Sequence, residues 1–249
     1  LESLKFNPSD ASTIKAMINQ YGFDSMCYVI RPHDLNNPLS MIKKLSKPFN
    51  QYVKNEKYAL CLDERSKLIR QHYYSFLATK SIDEMIKLSP YSSFWTGHSN
   101  VESMQKIVAQ FKNANNFNCS LHVRLPLDEV PEWSGTFILF SDQEAQSTLA
   151  SMKDNYKQLE TQLMLLNYQL LNQYYYQLTP LINYACISEK SSEILSLLSE
   201  DVCIDDISNT LHISARGVGY HIDRLKDLFE VKTRAALIKQ GIKYGIVKP

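Results

Sequence analysis

The sequence predicts an α+β protein: an N-terminal α-β-α sandwich domain on an antiparallel sheet, followed by an all-α C-terminal helix-turn-helix domain. Three observations predict it. Phe117, Cys119, Leu121, Val123 and Leu125 alternate with polar residues, as in a strand buried on one face. Leu149, Met152, Tyr156, Leu159, Leu163, Leu166 and Leu170 recur at steps of three and four, which makes one long helix. From Ile187 to Val231, three short amphipathic stripes follow one another with a single sharp turn between the last two.

The totals allow this. At 249 residues the chain can fill one large or two modest domains, and 44% hydrophobic residues with a net charge of +1 describe an ordinary soluble protein. No apolar run is long enough to cross a bilayer, and the N-terminus carries no secretory pattern, so no membrane partner and a cytoplasmic location are expected. Cys27, Cys61, Cys119, Cys186 and Cys203 are scattered without CxxC spacing, so reduced thiols are expected rather than disulfides or zinc. Glycine is scarce at 7 residues, and neither GxGxxG nor GxxxxGK[ST] occurs, which argues against a dinucleotide or P-loop cofactor.

In chain order, Asn7-Pro8 opens a first helix, a capping residue followed by Pro at the first helical position. Ile14, Met17, Ile18 and Tyr21 line its inner side, and Gly22 ends it. Residues 25–30 read as a strand stopped by Arg31-Pro32, and 33–40 as a loop. A second strand is expected at about 58–62 and a helix at about 63–79. Ser81-Ile82-Asp83-Glu84 is a capping box for another short helix. Residues 89–99 read as a loop, followed by a helix with Val101, Met104, Ile107, Val108 and Phe111 inward. Residues 136–140 supply a partner for the strand at 117–125. A second capping box, Ser141 to Glu144, starts the long helix, about 50 Å from end to end at 1.5 Å per residue. This helix either lies across its own sheet or packs in part on the same helix of a second subunit. Thr179-Pro180 breaks it. The expected domains are 1–178, with 142–178 as the long dimerisation helix, a linker at 179–186, and 187–249.

In the last domain, Ile194, Leu195 and Leu198 form one stripe. Ile204, Ile207 and Leu211 form the second, and Val218, Ile222, Leu225 and Phe229 the third. Ser214 is placed to cap the third helix. That leaves Arg216, Gly217, Gly219, Tyr220, Asp223, Arg224 and Asp227 on its outer side, the face that would enter a major groove. Residues 188–211 carry one basic and six acidic residues, whereas 212–249 carry eight basic and three acidic, so the second half is the one to meet phosphate. The alternative is a three-helix bundle with no nucleic-acid partner.

This segment resembles the DNA-binding domain of LuxR-type regulators, including the quorum-sensing group. Ile187-Ser188, Glu193 and Leu195 fit that family's first helix. Ile207, Leu211, Ile213-Ser214, Val218, His221 and Val231-Lys232 fit the second and third. The resemblance implies a dimeric transcriptional regulator that binds double-stranded DNA through its third helix. The DNA-binding candidates are Ser214, Arg216, Tyr220, His221 and Arg224, with Lys226, Lys232 and Arg234 for phosphate. The chain departs from the family at Gly217, Gly219 and Asp223. Two glycines in one helix cost about 1 kcal/mol each against Ala, and a carboxylate repels DNA unless a cation compensates.

The order of elements before it resembles the autoinducer-binding domain of the same regulators, in which Trp, Tyr, Asp and a later Trp line a pocket for an acyl-homoserine lactone. Tyr74 and Asp83 keep the interval of nine residues, and Trp95 in Phe94-Trp95-Thr96-Gly97 resembles the later Trp. Arg70 stands at the first Trp position, and Glu84 replaces the Pro after the Asp. The resemblance implies Tyr74, Asp83, Phe94 and Trp95 as ligand candidates, for an acyl-homoserine lactone or another small molecule. The alternative is a ligand-independent or degenerate member that binds DNA weakly and acts through protein contacts. The six His show no HExxH or other metal spacing, and no GxSxG occurs. No enzyme activity, metal or cofactor is expected.

Overall fold

A computed structural model describes residues 2–32, 55–76, 85–128 and 130–248. The fold class is the α+β one read from the sequence. The chain divides into two compact units, Leu1–Val29 with Tyr58–Leu125 and Gly135–Asn172, and Ile30–Lys57 with Pro126–Ser134 and Gln173–Pro249. Among the described residues no helix is long and apolar enough to cross a membrane.

The first unit is built on a seven-stranded sheet, β1 (Glu2–Lys5), β2 (Ser25–Pro32), β3 (Tyr58–Cys61), β4 (Ile86–Ser89), β5 (Ser92–Trp95), β6 (Cys119–Pro126) and β7 (Trp133–Ser141), in the order β1-β3-β2-β7-β6-β5-β4. The sheet departs from the expected one in two ways. It is mixed, because β1, which the sequence reading missed, pairs parallel to β3 with Leu4 opposite Leu60. Residues 89–99 are not all loop either: β4 and β5 form a hairpin there, and β5 pairs antiparallel with β6, Trp95 opposite Ser120 and Phe94 opposite Leu121. Short strands interrupted by Ser and Pro leave too little alternation to read.

Helices cover both faces. On one, α2 (Glu64–Phe76) and α3 (Glu102–Asn115) supply Ile69, Met104, Val108 and Phe111 to a core with Cys27, Val29, Ile138 and Phe140. On the other lies α4 (Ala145–Leu178), whose Asn167 reaches Tyr28 of β2. The heptad residues Met152, Tyr156, Leu159, Leu163, Leu166 and Leu170 are all buried, and Leu149 is half-buried. The long helix therefore lies across its own sheet through that stripe.

Local signals at the helix ends fared unevenly. Pro8 begins α1 (Pro8–Asn19), but the Asn7 side chain makes no cap bond. Gly22, at φ +82°, takes the left-handed turn past its end, where only a residue without Cβ sits easily. The box expected at 141–144 is displaced. α4 starts at Ala145, and it is Glu144 that accepts from the Ser147 N–H at 3.1 Å, while Ser141 Oγ donates to the Gly22 carbonyl at 2.6 Å. The box at 81–84 lies outside the described residues.

In the second unit the segment read as a linker carries a short helix, α5 (Pro180–Asn183), with Leu181, Asn183 and Tyr184 buried. Then come α6 (Glu189–Ser199), α7 (Ile204–Leu211), α8 (Ala215–Phe229) and α9 (Arg234–Lys243). The fourth of these was not anticipated. It is capped by Thr233, whose Oγ1 accepts from the Ala236 N–H at 3.1 Å, and it packs close enough that a Cβ on Gly241 would meet Leu195 Cδ2 at 2.8 Å. Tyr244 closes the unit. Its ring stacks on Phe229 at 5.5 Å and meets Trp133 at 5.2 Å, its hydroxyl donates to Glu132 Oε1 at 3.1 Å, and its carbonyl accepts from Thr179 Oγ1 at 2.5 Å.

Candidate nucleic-acid interface

The apolar stripes read from the sequence close one core in α6 to α9: Ile194, Leu195, Leu198, Ile207, Val218, Ile222, Leu225, Phe229 and Leu237 are buried. Ile204 and Leu211 are half-buried. The turn between α7 and α8 is built by three residues. His212 ends α7 in the left-handed region at φ 50°, the Ile213 N–H donates to the Ser208 carbonyl at 3.1 Å, and Ser208 Oγ donates to the Ile213 carbonyl at 2.6 Å. Ser214 then caps α8, accepting the Gly217 N–H at 3.1 Å. That capping role is as read from the sequence.

Burying Val218, Ile222, Leu225 and Phe229 turns the opposite arc of α8 to solvent. Arg216, Tyr220 and Arg224 lie on it at successive steps of four. Tyr220 is 60% exposed, and the Arg224 guanidinium stands 5.9 Å from its ring centroid, a cation–π contact that holds the cation on the outer face. Ser214, Lys232 and Arg234 are exposed at the two ends of α8 and the start of α9. Lys226 is half-buried at the side, with its ammonium 3.9 Å from the Asp223 carboxylate.

His221 is placed differently from the other candidates. Its Nδ1 lies 2.9 Å from Ser191 Oγ in α6, and Ser191 Oγ is itself 2.8 Å from Ser188 Oγ. The ring therefore joins α8 to α6 behind it. Burial, then the charges of Lys190 and Arg224, hold its imidazole below the ordinary value of 6.5.

Of the four ligand candidates, Phe94 and Trp95 have described side chains. Phe94 and Trp95 are consecutive in β5, so their side chains leave on opposite faces of the sheet. Trp95 enters the core with α3, where its ring lies 5.9 Å from Phe117, and its indole N–H donates to the His98 carbonyl at 3.2 Å. Phe117 is packed in turn on Phe111 and Phe140, at 5.4 and 5.5 Å. Asp83 lies outside the described residues, as does the side chain of Tyr74 in α2, while Arg70 of the same helix is buried. Two adjoining surface clefts, of about 490 and 430 Å³, share His98, Lys112 and Asn118, and neither is lined by Phe94 or Trp95. Burial lowers the Lys112 ammonium from its ordinary value, an effect that nearby Cys119 partly opposes.

The sequence reading also missed three residues on α4. Met164, Leu165 and Tyr168 are 45%, 63% and 51% exposed, on the side away from the buried stripe. Their signal was available: no charged residue occurs from Thr161 to Leu178.

No family model matches the chain, and no curated protein does. Among solved structures it is similar to Escherichia coli SdiA, at 15% identity over 97% of this chain and 92% of that one, with a TM-score of 0.43. It is similar also to SdiA in complex with octanoyl-rac-glycerol, at 16% identity over 98% and 92%, with a TM-score of 0.43. A phage VqmA–DPO complex matches at 12% identity over 96% and 92%, with a TM-score of 0.24.

Proposed function

We propose that the chain is a dimeric, DNA-binding transcriptional regulator of the LuxR type, with an N-terminal domain that senses a small molecule. The observation that carries this is the α7–turn–α8 unit, with Ser214 capping a helix whose free arc presents Arg216, Tyr220 and Arg224. An arc with two guanidiniums and an aromatic ring, on the half of the domain with most of its cations, suits a major groove flanked by phosphates. In this reading residues 1–178 sense, 179–186 link and 187–249 bind DNA, inside the cytoplasm and without catalysis.

Dimerisation is supported by the apolar residues that α4 exposes. Met164, Leu165 and Tyr168 form an exposed apolar stripe on a helix face without charge, the composition of an interface core. Two recognition helices held by such a dimer would read half-sites about one DNA turn apart. The ligand would be an acyl-homoserine lactone or another small molecule bound beside Tyr74 and Asp83.

A second reading has its own observation. Trp95 spends its indole N–H on the His98 carbonyl and its ring packs on Phe117 within the core, which favours a regulator that needs no ligand or acts through protein contacts. Selection of bound fragments from the source genome, at low and at near-physiological salt, tests both. A two-fold-symmetric site that survives the higher salt and is lost in Arg216→Ala/Arg224→Ala supports the regulator. Binding that vanishes with salt and prefers no site would sink it.

A further inference from the structure

We infer that Asp223 reads a cytosine in each half-site, an assignment that rests on the regulator reading above. At 100° per residue, the arc of α8 opposite Val218, Ile222, Leu225 and Phe229 is centred between Arg216 and Tyr220, and Asp223 falls beside it. The carboxylate is 77% exposed and points away from the core. A helix in the major groove turns its central arc to the base edges and its flanks to the two phosphate strands. Asp223 and Arg224 border that arc on opposite sides, each about 50° from its centre, and Lys226 stands about 60° farther out on the Asp223 side, between the carboxylate and the nearer strand.

Two details of the structure make this a usable reader rather than a simple repulsion. The Lys226 ammonium at 3.9 Å lowers the cost of bringing a carboxylate near DNA without capping its oxygens. Helical side chains lean toward the N-terminus, over the preceding turn. The residue one turn before Asp223 on that side is Gly219, and a Cβ built there would meet nothing within 4 Å. The space over that turn is open, so a base edge can approach the carboxylate. A carboxylate only accepts hydrogen bonds, and the major-groove donors are the N4 amino group of cytosine and the N6 amino group of adenine. Adenine sets its N7 acceptor beside that amino group, where it repels the second carboxylate oxygen, so cytosine is preferred. Guanine and thymine present acceptors at the corresponding position and would be repelled. Asp227, also on this arc, lies in the last turn of α8, farther from the end that enters the groove first.

The test is selection from a random duplex library by the full chain, as wild type, Asp223→Ala and Asp223→Asn, with circular dichroism to check that the exposed substitutions leave the fold unchanged. The wild type should require cytosine at one position of each half-site by roughly tenfold or more over the other bases. Asp223→Ala should lose that preference alone and bind non-specific duplex more tightly. Asp223→Asn, whose amide can pair with adenine N6 and N7, should shift the position toward adenine. A wild-type site that all three proteins read identically overturns the assignment and leaves the regulator reading standing. A wild type that selects no site overturns both.

Discussion

Ser191 Oγ and His221 Nδ1 lie 2.9 Å apart, so α8 is bonded to α6 through a residue that sits one position from Tyr220. The geometry gives His221 a positioning role: it sets the pitch of Tyr220 and Arg224 from behind. Burial is the first cause of its lowered basicity, so the folded protein disfavours the imidazolium.

The consequence for pH has a definite sign. The unfolded chain takes the proton near the ordinary value of 6.5, whereas the folded protein takes it only lower. The stability contributed by neutral His221 is fully present above 6.5 and is lost as pH falls through the folded-state value. Urea unfolding from about pH 7.5 to about pH 5 should show a decline that is smaller in His221→Asn, whose amide can keep the bond to Ser191. An identical pH profile in the variant would remove His221 as its source.

Capping residues separate into those that the fold uses and those that it does not. Ser214→Ala removes the acceptor of the Gly217 N–H and should cost about 1 kcal/mol, read as a lower urea midpoint with an unchanged slope. Asn7 makes no side-chain cap bond, so Asn7→Ala should stay within about 0.5 kcal/mol. Equal losses at both sites would contradict the geometry.

The buried pair under α4 gives a stricter case. The Tyr28 hydroxyl donates to Asn167 Oδ1 at 2.8 Å, and both residues are buried against Gly135. Tyr28→Phe leaves that amide oxygen dry and should cost about 1–3 kcal/mol. Gly135→Ala should be worse, since its Cβ would collide with Asn167 Oδ1 and stand 2.5 Å from Tyr28 Oη. The check is chemical unfolding of both variants; a Gly135→Ala protein as stable as wild type would mean that Asn167 swings away freely.

These residues also show what could be read in advance. The stripes of α6, α7 and α8 and the Ser214 cap were legible because each depends on spacing within one helix. The alternation of β6 was legible for the same reason. β1 and the β4–β5 hairpin were not, because strands of four residues owe their place to partners far along the chain, Leu4 to Leu60 and Phe94 to Leu121. The opposite directions of Phe94 and Trp95 have the same cause: once residues 92–95 are a strand, neighbours must point apart. The resemblance makes His221 a DNA candidate, and spacing within one helix cannot reveal the serine on α6 that meets it.

The exposed stripe of α4 yields the last prediction. The buried stripe spends Leu159, Leu163, Leu166 and Leu170 on the chain's own sheet, so any second subunit must use the other side. There Met164, Leu165 and Tyr168 stand in a stretch of 18 residues, Thr161 to Leu178, that carries no charge, spanning about 27 Å of helix. A face of this kind is self-complementary about a two-fold axis, because nothing on it repels its own copy. Leu165→Glu/Tyr168→Glu places like carboxylates opposite each other and should turn the dimer into a monomer in analytical ultracentrifugation at micromolar concentration, with the unfolding midpoint of the isolated subunit little changed. DNA binding should weaken with it, since two half-sites would no longer be held by one particle. A double variant that still sediments as a dimer would move the interface away from α4, and a wild type that sediments as a monomer would remove the dimer from the proposal altogether.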